Sequence, residues 1–155
     1  MSSETVVSGS TSVKPTKVRV LLAVILFITL LVAYLDRVNV SVLMADNQFL
    51  TDMGIKGQTV QMGLLMTVFL ITYGIANVVT GPVGDLIGPR KAMSLSILLW
   101  AISVCIGGFA STFGTMLVAR VVLGLGEGMH WPMQSTFVKN WFPPHERGKA
   151  NSAWL

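Results

Sequence analysis

Apolar residues fall into four long blocks along this chain, at residues 18–45, 60–83, 92–110 and 113–138, separated by short polar stretches. Each block is near or above the ~20 residues that a helix needs to cross the hydrocarbon layer of a bilayer. The separators carry turn chemistry: Thr51, Asp52 and Gly54 after the first block, Gly88 and Pro89 after the second, Ser111 and Thr112 after the third, Pro143 and Pro144 after the fourth. Links this short make successive helices antiparallel. The pattern predicts an all-α membrane protein with four transmembrane helices and the start of a fifth, from about residue 148. Before the first block, residues 1–17 are rich in Ser, Thr and Val without helical period and read as a mobile tail. The uncharged stretch 20–35 has the length of a signal peptide, but no small-residue cleavage pattern follows it and further spans do.

Composition supports lipid as the solvent. The chain is 52% hydrophobic and 12% charged, against roughly 25% charged residues in soluble domains. Its net charge of +4 is dispersed between apolar blocks and forms no aromatic-interleaved patch, which argues against nucleic acid as a partner. The single cysteine, Cys105, allows no internal disulfide, and His130 and His145 have no companions at metal-ligand spacing, so neither metal nor cofactor is expected. Lys14, Lys17, Arg19, Arg90, Lys91, Lys139, Arg147 and Lys149 fall on one side of the predicted topology and Lys56 alone on the other. By the positive-inside rule this puts the N-terminus in the cytoplasm of a multi-pass cell-membrane protein. An ending at Leu155, as a further helix begins, reads as a truncation.

Topology leaves Arg37 and Arg120 unplaced, since both lie inside spans, each with an acidic companion, Asp36 and Glu127. A charge at the centre of a lone span costs about 2.5 to 3.5 kcal/mol on insertion scales, so four of them call for pairing, a wet cavity or a function. Counted from the basic side, Arg37 and Arg120 lie at nearly the same height, about 28 and 27 Å, while Glu127 lies about 16 Å in, near the midplane, level with Tyr73. Arg120 and Glu127, seven residues apart, share one helix face with Gly124 between them. Two guanidiniums at one height form a site for an anion, which they bind bidentately through carboxylate or phosphate. A carboxyl near the midplane can take and release a proton. The plainer reading is that the arginines snorkel to the outer interface and the acids pair with them. Glycines 124 and 128 form a GxxxG step that suits close helix packing, Gly107 and Gly108 thin the third block, and Pro132 is expected to bend or break the fourth. His130, one turn from Glu127, reads as an interior histidine satisfied by its neighbours, with proton sharing as the sharper alternative.

The link after the second block, Gly81-Pro-Val-Gly-Asp85-Leu-Ile-Gly88-Pro-Arg90-Lys91, resembles the conformational motif GxxxDxxGxR/K of the major facilitator superfamily. Leu86 and Pro89 stand where that family usually has basic residues. Two further stretches resemble its anion:cation symporter branch: Tyr34-Leu-Asp36-Arg37-Val-Asn39, and Arg120-xxx-Gly124-xx-Glu127-xxxx-Pro132 followed by Asn140-Trp-Phe-Pro143-Pro-His-Glu-Arg147-Gly148. The resemblance covers residues 20–155 and implies residues 18–155 as part of an N-terminal six-helix bundle, whose C-terminal partner half lies beyond this chain. It implies that Arg37 contacts a substrate carboxylate, that Tyr34 and Tyr73 line the site, that Asp36 and Glu127 couple protons, and that Arg120 belongs with Glu127. The function it implies is proton-coupled uptake of an organic anion, most readily a sugar acid such as a hexonate, hexarate or hexuronate. An aromatic-acid permease and a non-transporting sensor of the same fold are the alternatives; an enzyme is disfavoured, because no nucleophile-and-base pair or metal motif is present.

Overall fold

The computed structural model describes residues 17–152. The tail residues 1–16 and the last three residues lie outside the described part, as do the side chains of Val18, Arg19, Val83 and Asp85. Among the described residues every regular element is a helix: α1 (Lys17–Ala45), α2 (Asn47–Asp52), α3 (Thr59–Ile87), α4 (Pro89–Gly108), α5 (Phe113–Trp141) and α6 (Pro144–Ser152).

Three of these are long and apolar enough to cross a bilayer: α1, α3 and α4. The fourth expected span, α5, equals α1 and α3 at 29 residues but is less apolar, because Arg120, Glu127, His130, Gln134 and several glycines lie in it. Packing resolves the conflict. Helix α5 runs between α3 and α4 and contacts both along its length. From Leu123 to Gln134 only Leu125 is exposed. Its polar residues are therefore sequestered from lipid by neighbouring helices, which is the setting in which ionisable side chains persist within a membrane protein.

Glycine makes that sandwich close. A β-carbon on Gly124 would lie 2.8 Å from the Phe69 carbonyl oxygen, and one on Gly128 would lie 2.5 Å from that of Tyr73. On the opposite face a β-carbon on Gly126 would meet the Trp100 backbone nitrogen at 3.0 Å. The glycines thus let α5 touch α3 through the 124 and 128 positions and α4 through 126. Two serines of α4 fasten the second contact: Ser96 donates to the Gly126 carbonyl at 2.8 Å and Ser103 to the Ala119 carbonyl at 2.9 Å.

Helix α1 is attached differently. Its buried apolar positions, Leu26, Ala33 and Val40, recur every seven residues and form a narrow seam, while Phe27, Leu31, Leu35 and Val38 remain exposed. Its backbone comes near α5 at few positions. Polar side chains do much of the joining, as described below.

The helix ends explain the rest of the architecture. Helix α3 continues through Pro82 to Ile87, four residues beyond the expected limit, and α4 begins at Pro89, so a single residue separates them. That residue is Gly88, with φ 84° and ψ 147°, a backbone region essentially reserved for glycine. Pro89 then occupies the first turn of α4, where its missing N–H costs nothing. The short helix α2, which the apolar blocks did not foretell, is capped by Asp46 and closes the other end of the bundle, where Leu50 and Ile55 pack with Leu65 and Met116. Helix α5 is continuous through Pro132, and its Thr112–Thr115 capping box fixes its start. Its last carbonyls are met by Arg147, whose Nε donates to Phe142 at 3.0 Å and whose terminal nitrogen donates to Lys139 at 2.8 Å. Helix α6 starts at Pro144 with a polar first turn rather than near residue 148.

Candidate functional site

Helices α1, α3 and α5 bring the in-span charges together. Arg37 projects from α1 and donates to Glu127 Oε2 on α5 at 3.1 Å. The Glu127 side chain is 1% exposed and that of Arg37 is 35% exposed, so the pair spans the boundary between a closed interior and an open face. Three aromatic rings surround the guanidinium carbon: Tyr73 at 5.3 Å, Phe69 at 5.8 Å and Tyr34 at 5.9 Å. Distances of this size allow cation–π attraction and keep water from part of the guanidinium.

The height estimate placed Glu127 about a dozen ångströms deeper than Arg37, yet the two touch. A count along helix axes takes no account of side-chain reach or helix tilt, and the contact is direct. Arg37 makes the ion pair with Glu127, while Arg120, which the resemblance groups with Glu127, lies close enough to interact with its charge. Glu127 Oε1, Arg37 Nε and Arg120 Nε are buried with no protein hydrogen-bond partner.

Asp36 faces the other way from α1. It accepts a hydrogen bond from the indole N–H of Trp100 on α4, a short contact between two partly enclosed groups. The adjacent residues Asp36 and Arg37 thus tie α1 to both of the other walls, one through α4 and one through α5.

Two cavities meet at Arg120. One of about 200 Å³ is bordered by Arg37, Tyr73, Arg120, Phe69, Met66 and Leu123, between α1, α3 and α5. A larger one of about 610 Å³ opens toward α2 and is bordered by Asp36, Asn39, Asp52, Ser103 and Arg120 among others. Arg37, Arg120 and Tyr73 therefore share one hollow, with Arg37 joined to Glu127. Tyr34 reaches Arg37 with its ring but is 56% exposed and does not border that hollow.

The link motif stands apart from the hollow, at the end of the bundle where α3 meets α4. Gly81 lies in the last turns of α3, Gly88 forms the one-residue link, and Arg90 and Lys91 are exposed on the first turn of α4. The side chain of Asp85 lies outside the described residues.

Two residues that sequence reasoning underweighted belong with the site. Trp100, the partner of Asp36, carries no signal in an apolar block beyond being an indole with one N–H to satisfy. His130, read as satisfied, has neither ring nitrogen hydrogen-bonded to protein.

An interior ion pair, a cationic hollow beside it and three lipid-compatible helices around a glycine-packed polar helix define an integral membrane protein built to keep charge inside the bilayer. Residues 26–155 match the family model of the Major Facilitator Superfamily, and the chain belongs to that superfamily. It is 35% identical over 77% of its length to a probable sulfoacetate transporter from Cupriavidus necator, of which it covers 27%. It is 31% identical over 88% of its length to a D-galactonate transporter from Escherichia coli, covering 31% of that protein, and 35% identical over 81% to a hexuronate transporter from Bacillus subtilis, covering 29%. The chain spans less than a third of the length of these relatives.

Proposed function

We propose that the intact protein containing this chain carries a small organic anion across the membrane together with protons, and that the anion is a sugar acid or a similarly sized carboxylate. The observation that carries this reading is the shared hollow: Arg37 and Arg120 border one cavity, and Arg37 is held there by Glu127. A guanidinium already paired with a carboxylate offers an exchange. Protonation of Glu127 weakens its single hydrogen bond to Arg37, and an incoming carboxylate can take its place and use the guanidinium bidentately. Binding and proton uptake are then linked without any further device. The relatives' substrates as named, galactonate, hexuronate and sulfoacetate, all offer a carboxylate to such a site.

In this reading Arg37 and Arg120 bind the carboxylate, Tyr73 and Tyr34 border the approach, and Asp36 and Glu127 exchange protons. The hollow of about 200 Å³ is smaller than the roughly 300 to 1,000 Å³ of a complete ligand pocket, so it serves as one wall of the site. Gly81, Asp85, Gly88, Arg90 and Lys91 form the hinge-side motif of a domain that rocks against a second half. The N-terminus lies in the cytoplasm of a multi-pass protein, because the Lys and Arg residues gather at that end.

Uptake of radiolabelled D-galactonate, D-glucuronate and sulfoacetate into vesicles, with and without an inward proton gradient, tests the reading. Accumulation of at least one of them above equilibrium only with the gradient supports it. Flux indifferent to the gradient contradicts the coupling, and binding without flux favours a sensor.

A further inference from the structure

Beyond Glu127, toward the end of α5 that meets the link between α3 and α4, two more polar side chains are buried: His130, 5% exposed, and Gln134, 1% exposed. Spacings of three and seven residues put both on the Glu127 face of the helix, along about 10 Å of its axis. This line is short of partners. Glu127 Oε1, both His130 ring nitrogens and Gln134 Nε2 make no hydrogen bond to protein.

Buried polar groups are almost always satisfied, and a run of four orphaned atoms on one helix face calls for an explanation. The neighbours supply none. From α4, Trp100 meets the His130 ring edge-on at 6.2 Å, while its N–H is given to Asp36. Ser96, also on α4, has its hydroxyl committed to the Gly126 carbonyl. From α3, Thr80 is bonded to its own helix at Ala76. Pro132, between His130 and Gln134, has no N–H for the Gly128 carbonyl, which adds a backbone acceptor to the same two turns. The charged groups facing this line are Arg37 and Glu127 themselves, Arg120 two turns away on the same helix face, and Asp36 through Trp100.

We propose that His130 and Gln134, with water between them, form the route by which the Glu127 proton leaves toward the α3–α4 end of the bundle. This rests on the proton-coupled reading above. The protonated Glu127 gives its proton to one ring nitrogen of His130: the O–H bond breaks and an N–H bond forms. The opposite ring nitrogen then passes its proton to a water held by the Gln134 amide. His130 ends neutral with its tautomer exchanged, Glu127 ends as a carboxylate, and Arg37 is again paired. Neutral imidazole can both accept and donate, so one side chain bridges the step. Trp100 cannot do so, because an indole only donates. It acts as a positioning residue, holding Asp36 and walling the His130 ring.

The test uses the intact protein in liposomes, with radiolabelled D-galactonate as probe and two assays. Accumulation under an inward proton gradient requires proton release; counterflow at equal pH does not. His130→Gln is expected to lower gradient-driven accumulation by about tenfold or more, with counterflow within about twofold of wild type. Gln134→Met is expected to show the same split with a loss of about threefold, since water compensates in part. Equal losses in both assays would make the two residues structural, and no loss in either would make them dispensable; each result overturns the route. A wild-type protein that accumulates galactonate without regard to the gradient refutes the coupling itself.

An independent arm needs no substrate. In protein labelled with ¹⁵N-histidine, the ring N–H signal that disappears in His130→Gln should exchange protons with water rapidly despite its burial. A slowly exchanging ring overturns the proposal whatever the transport assays show.

Discussion

Replacing Glu127 with glutamine removes one charge from the Arg37 contact while keeping its shape. The pair is 3.1 Å apart with the acid fully enclosed, and at an effective dielectric constant near 20 the gross attraction is about 5 kcal/mol, of which desolvation cancels a large share. Glutamine still offers Arg37 a carbonyl oxygen, so the change is that from a charged to a neutral acceptor, about 1 to 2 kcal/mol. That is the competition an anion no longer has to overcome. The variant should therefore bind D-galactonate about five to thirty times more tightly than wild type at pH 8. The sign of the pH dependence follows from the same contact. In wild type, protonating Glu127 frees Arg37, so affinity should fall as pH rises from 6 to 8; in Glu127→Gln that part of the slope should be lost. Equilibrium binding to detergent-solubilised intact protein measures both quantities. If the variant loses binding, or keeps the wild-type slope, the exchange of a carboxylate on Arg37 is refuted.

Gly128→Ala should lower stability by about 2 kcal/mol, because its β-carbon would lie 2.5 Å from the Tyr73 carbonyl oxygen and the helices must part. Gly74→Ala, with open space around it, is the control and should be neutral or slightly stabilising; unfolding in mixed micelles followed by circular dichroism compares the two. Gly88→Ala should cost about 1 to 3 kcal/mol in the same assay, since its φ of 84° admits no ordinary side chain comfortably. Arg147→Ala uncaps two carbonyls at the end of α5 and should speed amide hydrogen exchange in the last turn while leaving the centre of the helix unchanged.

Much of this arrangement is written in the residues. Blocks of apolar residues long enough to span a bilayer mark α1, α3 and α4 because lipid demands a continuous hydrocarbon surface. The misplaced charges Asp36, Arg37, Arg120 and Glu127 announce an interior, since lipid would exclude them. The pairing among them was not legible. Height along a helix axis says nothing of tilt or of which way an arginine extends, so the Arg37–Glu127 contact emerges only from the packed helices. The same limit hid the bond from Trp100 to Asp36, which joins residues of different helices. Helix α2 was missed because six residues in a polar link carry no periodic signal; its Asp46 cap was the available cue. Helix α5 shows the reverse case: its composition alone falls short of a span because of its charged and polar residues, and its glycines let the neighbouring helices close over them.

The most direct test is a structure of the intact protein with a bound sugar acid. The account predicts the substrate carboxylate about 3 Å from the Arg37 guanidinium, beside Tyr73 and Arg120, with Glu127 turned from that arginine. A carboxylate held elsewhere, or an Arg37–Glu127 contact unchanged beneath a bound substrate, would contradict it.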